Sequence, residues 1–300
     1  LIYMLHLANI CRNADIDIIA ISRHPPAEKL RDVFSFGYEF HSMDLSKAGI
    51  YDFPFQADYI IHGATYAQPG KFLKNYLETI RLNTWAVEVL LEKAKRDDAT
   101  FLFLSSSEVY GNPLEHPQKE SYWGNVNPVG PRSCYDEGKR AAETFCYEYF
   151  NRGVDVRVIR IFNTYGPYMD PADGRVITNF INQALKNEDL TIYGDGRQTR
   201  SFCFINDLLA AMTKYMALEE RFFGPLNLGN PEEFTVSKLA QKVLKLIPKS
   251  KSKIIYKPLP KDDPTMRKPD ISRAKKILGW RPKIGIEEGL KRTIKYFERK

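Results

Sequence analysis

An α/β fold built on a doubly wound parallel sheet is what this sequence predicts, and three observations predict it. Apolar, β-branched runs alternate with stretches of helical periodicity through the first half. The runs are almost continuously apolar, as in strands covered on both faces. The polar clusters able to carry chemistry fall just after those runs, at the strand ends where such sheets bind ligands. The runs are Ile16–Ser22, Tyr59–Gly63, Thr100–Ser105 and Val154–Ile161, and between them Tyr76–Lys95 and Tyr135–Asn151 have the length and amphipathic pattern of helices. Leu1–Ile10 is apolar but short and has no basic segment in front of it, so it reads as a buried helix rather than a signal sequence.

After residue 166 the texture changes. Short strands are expected at Leu190–Tyr193, Ser201–Phe204 and Lys253–Tyr256, mixed with helices at Thr178–Lys186, Asp207–Leu218 and Thr235–Leu246. Pro258–Pro269 is rich in proline and charge and reads as a loop. Asp270–Leu278 then reads as a short helix stopped by Gly279, and Gly285–Phe297 as a final one. The expected organisation is a sheet domain over residues 1–165, with the chain returning to it near 203–230, and a smaller α+β lobe over residues 166–300.

Composition narrows the function. The 300 residues are 43% hydrophobic, enough for a large core. The net charge of +7 suits an anionic partner, yet the charges are mixed in sign and no basic block is interleaved with aromatics, which argues against nucleic acid. Cys11, Cys134, Cys146 and Cys203 are widely spaced without a CxxC, and the five histidines form no cluster, so neither disulfides nor a metal site are expected. A reducing cytoplasm is the expected compartment. No run of about 20 apolar residues exists to cross a bilayer.

The chemistry concentrates in Ser105-Ser106-Ser107-Glu108, followed by Tyr135-Asp136-Glu137-Gly138-Lys139. On a helix Tyr135 and Lys139 stand one turn apart on one face. An ammonium beside a phenol favours the phenolate and makes the tyrosine a usable base. In a lysine-rich chain with 17 tyrosines that spacing alone is expected about once by chance, so its weight comes from the strand and serines before it. His62, at a strand end, reads as a satisfied core residue, and Cys134 as packing.

Longer motifs add a resemblance. Gly124–Glu143 (GNVNPVGPRSCYDEGKRAAE), Arg160–Pro167, Asp173–Phe180, Gln198–Phe202, Asn227–Pro231 and Arg267–Asp270 stand in an order in which the chain resembles extended short-chain dehydrogenases acting on nucleotide sugars, most closely UDP-glucuronate decarboxylases. The resemblance implies a Rossmann-like fold and bound NAD. It implies that Tyr135 takes the proton of the sugar 4-hydroxyl as hydride leaves C4, that Lys139 holds the phenol and the nicotinamide ribose, and that Ser106 bonds the same oxygen. A C5 carboxylate then becomes a β-keto acid, loses carbon dioxide, and the ketone is reduced again. Ser107 stands where related 4,6-dehydratases carry an aspartic acid, which disfavours dehydration. Glu108 would lie near the reacting carboxyl and Arg267 on the carboxylate, for which a guanidinium is matched.

By the same resemblance Asn163, Arg175, Tyr193 and Arg200 would hold the nucleotide and diphosphate of a substrate expected to be UDP-linked. Asp44 and Leu45 would lie near the adenine, and Ala64, Thr65 and Asn83 along the dinucleotide. Arg23 follows the second strand where NAD users place an acid, and suits the 2′-phosphate of NADP. Relatives pair through a four-helix bundle, so a homodimer through Tyr76–Lys95 and Tyr135–Asn151 is implied. Two departures stand out. The G-x-x-G-x-x-G turn is absent, and Leu1–Ile10 resembles the helix that should follow it, so a truncated sequence lacking the first strand and the pyrophosphate cradle is expected, with a non-catalytic nucleotide-sugar-binding remnant as one alternative. The loop Ala64–Gly70 also departs, which keeps a 4-epimerase of another sugar open.

Overall fold

In the computed structural model, which describes residues 1–25, 37–258 and 266–299, the predicted parallel sheet forms in two pieces. Strand β1 (Ile19–Ser22) pairs in parallel with β2 (Glu39–Ser42). Strands β3 (Tyr59–His62), β4 (Thr100–Ser106), β5 (Val156–Ile161) and β10 (Leu226–Leu228) form a second parallel sheet in the order β10-β5-β4-β3. The first predicted run therefore does not hydrogen-bond to the other three.

Alternation along β4 explains why both faces of this sheet are covered. Phe101 and Phe103 enter one core with Val87, Leu90, Leu91 and Ala94 of helix α4 (Trp85–Asp97) and Ala142, Cys146 and Tyr149 of α5 (Ser133–Asn151). Leu102, pointing the other way, enters a second core with Leu208, Ala211, Met212 and Tyr215 of α7 (Ile205–Met216). Ala274 and Leu278 of α9 (Ser272–Leu278) and Trp280 complete that second core.

A third core holds the later lobe. It is made by α6 (Val176–Leu185), β7 (Leu190–Tyr193), α8 (Val236–Leu246) and α10 (Ile286–Phe297), with Phe180, Leu190, Leu239 and Leu290 fully buried. Two-residue strands β6 (Thr164–Tyr165) and β9 (Cys203–Phe204) pair in parallel, as do β7 and β12 (Ile254–Lys257). Strand β8 (Thr199–Ser201) lies between β11 (Glu233–Thr235), antiparallel, and β13 (Met266–Arg267), parallel.

Three expectations need correction. Tyr76–Lys95 is two helices, α3 (Tyr76–Asn83) and α4, broken at Thr84 with φ −126° and ψ −78°. The break coincides with side chains that bond backbone carbonyls four residues back: Thr79 Oγ1 to Asn75 O, Asn83 Nδ2 to Thr79 O and Thr84 Oγ1 to Ile80 O. Ser201–Phe204 is interrupted at Phe202, because β8 and β9 pair with different partners. The N-terminal helix, α1 (Ile2–Arg12), has no buried residue; Tyr3, Leu7 and Ile10 share one face and that face is exposed. Within the predicted loop Pro258–Pro269, residues 259–265 lie outside the described residues. A four-residue turn of helix, α2 (Pro69–Phe72), follows the unusual loop after β3.

Candidate active site

Strand β4 ends at Ser106 and runs directly into a 3-10 turn, Ser107–Tyr110, whose start is capped by the Ser106 Oγ accepting from the Glu108 amide at 3.2 Å. The first turns of α5 lie over this strand end. On its other flank Gly138 lets α5 lie close to α3, since a Cβ there would sit 3.1 Å from the Asn83 Cβ. Tyr135 and Lys139, both buried, consequently face the end of β4. The Tyr135 hydroxyl hydrogen-bonds Ser106, and its ring stacks on Phe72 with centroids 5.3 Å apart. The Lys139 ammonium donates to the Leu104 carbonyl at 2.7 Å and lies 4.5 Å from the Phe103 ring centroid and 5.9 Å from that of Tyr135.

Burial dominates both groups. It pushes the Tyr135 phenol up to about 12, with Glu108 and Asp136 adding to the rise and the Ser106 bond and Arg175 opposing it. It pushes the Lys139 ammonium down to about 7. In this arrangement the lysine alone does not bring the phenol toward neutrality, as the sequence reading supposed.

Beside the pair lies an ionic cluster drawn from three distant segments. Arg267, carried by β13, is 2% exposed. Its Nη1 donates to Ser107 Oγ at 2.8 Å and lies 3.2 Å from Glu108 Oε1, while its Nη2 donates to Gly111 O at 3.0 Å and to Glu108 Oε2 at 3.4 Å. Arg132 donates to the same Oε2 at 2.8 Å and stands 3.8 Å from Asp136 Oδ2. Burial raises both carboxyl groups. For Glu108 the two guanidiniums outweigh burial and hold it down at about 2. For Asp136, burial and the Glu108 charge outweigh the arginines, and its carboxyl is held well above the usual range. Arg132 and Asp136 escaped the sequence reading, although their i, i+4 spacing inside the GPRSCYDEGK block was the available signal.

The remaining predicted residues divide by place. Asn163 donates to Ser201 O at 3.4 Å, and Arg200 is the parallel-strand partner of Arg267. Arg175 at the start of α6 is ion-paired to the buried Asp173, which also accepts from Gln68 of the unusual loop. Tyr193 ends β7, half exposed. Near the ends of β1 and β2, Arg23 hydrogen-bonds the Tyr66 hydroxyl and lies 5.3 Å from that ring's centroid, so its guanidinium is engaged within the chain. Asp44 accepts from Ser46 Oγ at 2.7 Å, and Leu45 is buried in the first core. Ala64 packs against that core too, and Thr65 Oγ1 accepts from Asn83 Nδ2 at 3.0 Å.

Cys134 sits as expected, packed; His62 is packed too but only half satisfied, since its buried Nδ1 has no partner. His62 Nε2 meets Leu82 O at 2.9 Å and burial pushes the ring down to about 4. Cys134 is buried against Phe72 and Tyr135. Among the described residues no three His, Cys, Asp or Glu side chains gather where they could hold a metal ion, and no helix is long and apolar enough to cross a membrane.

A dinucleotide's nicotinamide end finds matching groups here. The Lys139 ammonium carries three donors, and the buried Asn83 Oδ1 and His62 Nδ1 have no partner. Residues 5–229 match the model of the NAD dependent epimerase/dehydratase family. The chain is 50% identical over 245 residues to UDP-glucuronic acid decarboxylase 1 of Danio rerio and 51% identical over 243 residues to UDP-glucuronic acid decarboxylase 1 of Arabidopsis thaliana. Each alignment takes in 81% of this chain but 58% and 55% of those relatives, so the chain spans little more than half their length. With UDP-glucuronic acid decarboxylase 6 of Arabidopsis thaliana it is 50% identical over 78% of this chain and 68% of that one. Its fold is similar to a UDP-glucose 4-epimerase of Thermotoga maritima, solved with UDP-glucose, at a TM-score of 0.85 and 25% identity over 100% of this chain and 96% of that one. A UDP-glucuronic acid 4-epimerase of Bacillus cereus, solved with UDP-glucuronic acid and NAD, has the same fold at a TM-score of 0.85 and 22% identity over 99% and 95% of the two chains.

Proposed function

Since this chain belongs to the NAD dependent epimerase/dehydratase family, we propose that it oxidises C4 of UDP-glucuronate, removes its carboxyl group and reduces the resulting ketone to give UDP-xylose. The observation that carries this reading is the ionic cluster beside the Tyr135–Ser106 pair. Arg267 and Arg132 both lie on Glu108, and the Arg267 guanidinium, 3.2 Å from Glu108 Oε1, presents beside the pair a planar fork of donors that matches a carboxylate. A neutral sugar has no carboxylate for such a fork to match.

On this reading the Tyr135 phenolate accepts the proton of the 4-hydroxyl at Oη, and Ser106 Oγ fixes the same oxygen. When bound, NAD supplies the hydride acceptor and, in its oxidised form, a positive charge that favours the buried phenolate. Lys139 and Asn83 would hold its ribose and nicotinamide end. Arg267 orients the C5 carboxylate so that the breaking C–C bond overlaps the π system of the new ketone; the enolate left as carbon dioxide departs takes a proton at C5 from water, and Tyr135 returns its own proton to the C4 oxygen when that ketone is reduced. Ser107 keeps its hydroxyl on Arg267 and has no acid to offer for dehydration. Residues 1–165 would carry the cofactor and residues 166–300 most of the nucleotide, with Asn163, Arg175, Tyr193 and Arg200 on the diphosphate and base. Two copies would pair through α3 and α5.

A 4-epimerase is the second reading, favoured by one observation. Arg267 is already engaged by Glu108 and Ser107, as a site for an uncharged sugar permits. Incubation with NAD and UDP-glucuronate, followed by mass spectrometry, separates the two. A sugar nucleotide lighter by carbon dioxide, formed by the chain and not by Arg267→Ala, is the expected result. A product of unchanged mass that separates from UDP-glucuronate by chromatography would give the site to epimerisation.

A further inference from the structure

Arg267 reaches the cluster from a backbone with little regular structure of its own. Strand β13 is two residues long and, among the described residues, pairs on one side with β8, Met266 opposite Thr199 and Arg267 opposite Arg200. From Lys268 onward the chain lies instead against Gln118, in a loop more than 140 residues earlier.

Gln118 is polar yet 0% exposed. Its Nε2 donates to Glu115 O at 2.7 Å, and its Oε1 accepts from the Lys268 amide at 2.8 Å. Its own amide donates to Lys268 O at 2.9 Å, and its carbonyl accepts from the Asp270 amide at 2.8 Å and from Asn227 Nδ2 at 3.0 Å. Asn227, also fully buried, closes the ring by donating to Asp270 O at 3.1 Å and accepting from the Tyr110 hydroxyl at 2.8 Å. Tyr110 in turn accepts from Arg160 Nη1 at 2.9 Å, and Arg160 is ion-paired to Glu143 of α5. The chain of bonds thus runs from the helix bearing Tyr135 to the backbone bearing Arg267.

Burying a primary amide costs stability unless its bonds are made, and a leucine of similar size would fill the space without that cost. What the amide adds is direction. Its bonds fix the backbone at Lys268 and, through the main chain, at Asp270, immediately after the arginine whose side chain must span Ser107, Glu108 and Gly111. A displacement of about 1 Å in such a group is enough to cost binding and rate.

We propose that Gln118 is the positioning residue for Arg267, clamping residues 268–270 so that the guanidinium selects a carboxylated sugar nucleotide over a neutral one. The proposal rests on the reading of Arg267 as the group that holds the substrate carboxylate. Calorimetric titration of UDP-glucuronate and of UDP-glucose into the wild-type chain, Gln118→Leu, Arg267→Ala and the double variant tests it. Gln118→Leu is expected to weaken UDP-glucuronate about tenfold and UDP-glucose less than about twofold, the size of one lost charge-assisted hydrogen bond. In the double variant Gln118→Leu should add less than about twofold to Arg267→Ala, because both changes remove the same interaction. Equal weakening of the two nucleotides, or full multiplication of the losses, would reduce Gln118 to a structural residue. If Gln118→Leu does not fold, Gln118→Asn, too short to reach both Glu115 and Lys268, should shift the same ratio in the same direction, and no shift there overturns the clamp. An Arg267→Ala variant with an unchanged ratio would instead remove the carboxylate reading, and the clamp with it.

Discussion

Glu108, partly buried, and Asp136, buried, share Arg132, yet their carboxyl groups are shifted in opposite directions: burial and the Glu108 charge raise Asp136, and two guanidiniums in contact lower Glu108. Glu108 contacts both guanidiniums, whereas Asp136 is 3.8 Å from one of them and its Oδ1 has no partner. A carboxyl whose folded pKa is raised contributes its stability below the unfolded value, near 3.8, and loses it as pH climbs toward the folded value. Asp136→Asn should therefore be more stable than wild type at neutral pH by about 1–2 kcal/mol, the scale of an unsatisfied buried group. The difference should shrink toward pH 4, which melting curves across pH 4–8 would show; a constant difference would mean that Asp136 is not the titrating group. Tyr135 is tested by the opposite kind of readout. Tyr135→Phe keeps the stack on Phe72 but loses the proton acceptor, so turnover should fall about 100- to 10,000-fold while UDP-glucuronate affinity stays nearly unchanged. At this scale Tyr135 and Lys139 were legible because they lie in a long motif, and Ser106 and Glu108 because they follow a clean apolar strand. Asp136 and Gln118 were not, because their meaning depends on partners that only folding brings close.

Helices and strands were legible where the apolar period was clean. The runs at β3, β4 and β5 and the amphipathic pattern of α5 depend on local alternation alone, whereas the break at Thr84 depends on three side chains turning back on their own helix. Close packing between elements is equally invisible in a pattern of apolar residues. Gly289 lies inside α10, where alanine would ordinarily gain about 1 kcal/mol from helix propensity. Here a Cβ would fall 2.0 Å from the Tyr165 hydroxyl oxygen and 2.7 Å from Cζ. Tyr165 is held edge-on between Phe202 and Phe204 and cannot withdraw without repacking the third core. Overpacking of this kind costs about 1–3 kcal/mol, so Gly289→Ala should be net destabilising, read as a lower urea midpoint; a raised midpoint would show that α10 can shift at no cost.

The molecule as a whole carries a surface that its own cores leave uncovered. Helix α3 packs one side onto α5 and turns Tyr76, Leu77 and Ile80 outward, with Leu73 just before it, and Leu77 is 66% exposed. Tyr147 of α5 and Trp85 at the start of α4 are exposed too. Residues 73, 76, 77 and 80 recur at helical spacing, so the apolar positions form a stripe rather than scattered points. A stripe of this kind on two adjacent antiparallel-capable helices is self-complementary about a two-fold axis, and four helices then enclose what two leave open. The sequence pattern indicated these helices but not which of their sides the first core would occupy. We therefore expect the chain to be a dimer at micromolar concentration, and expect Leu77→Asp/Ile80→Asp to be a folded monomer, since both side chains reach the surface of the single copy, Leu77 at 66% exposure and Ile80 at 37%. Sedimentation or light scattering reads both species directly. A wild-type mass equal to one chain would leave the stripe without this partner, and an acidic double variant that remains dimeric would place the contact elsewhere on the surface.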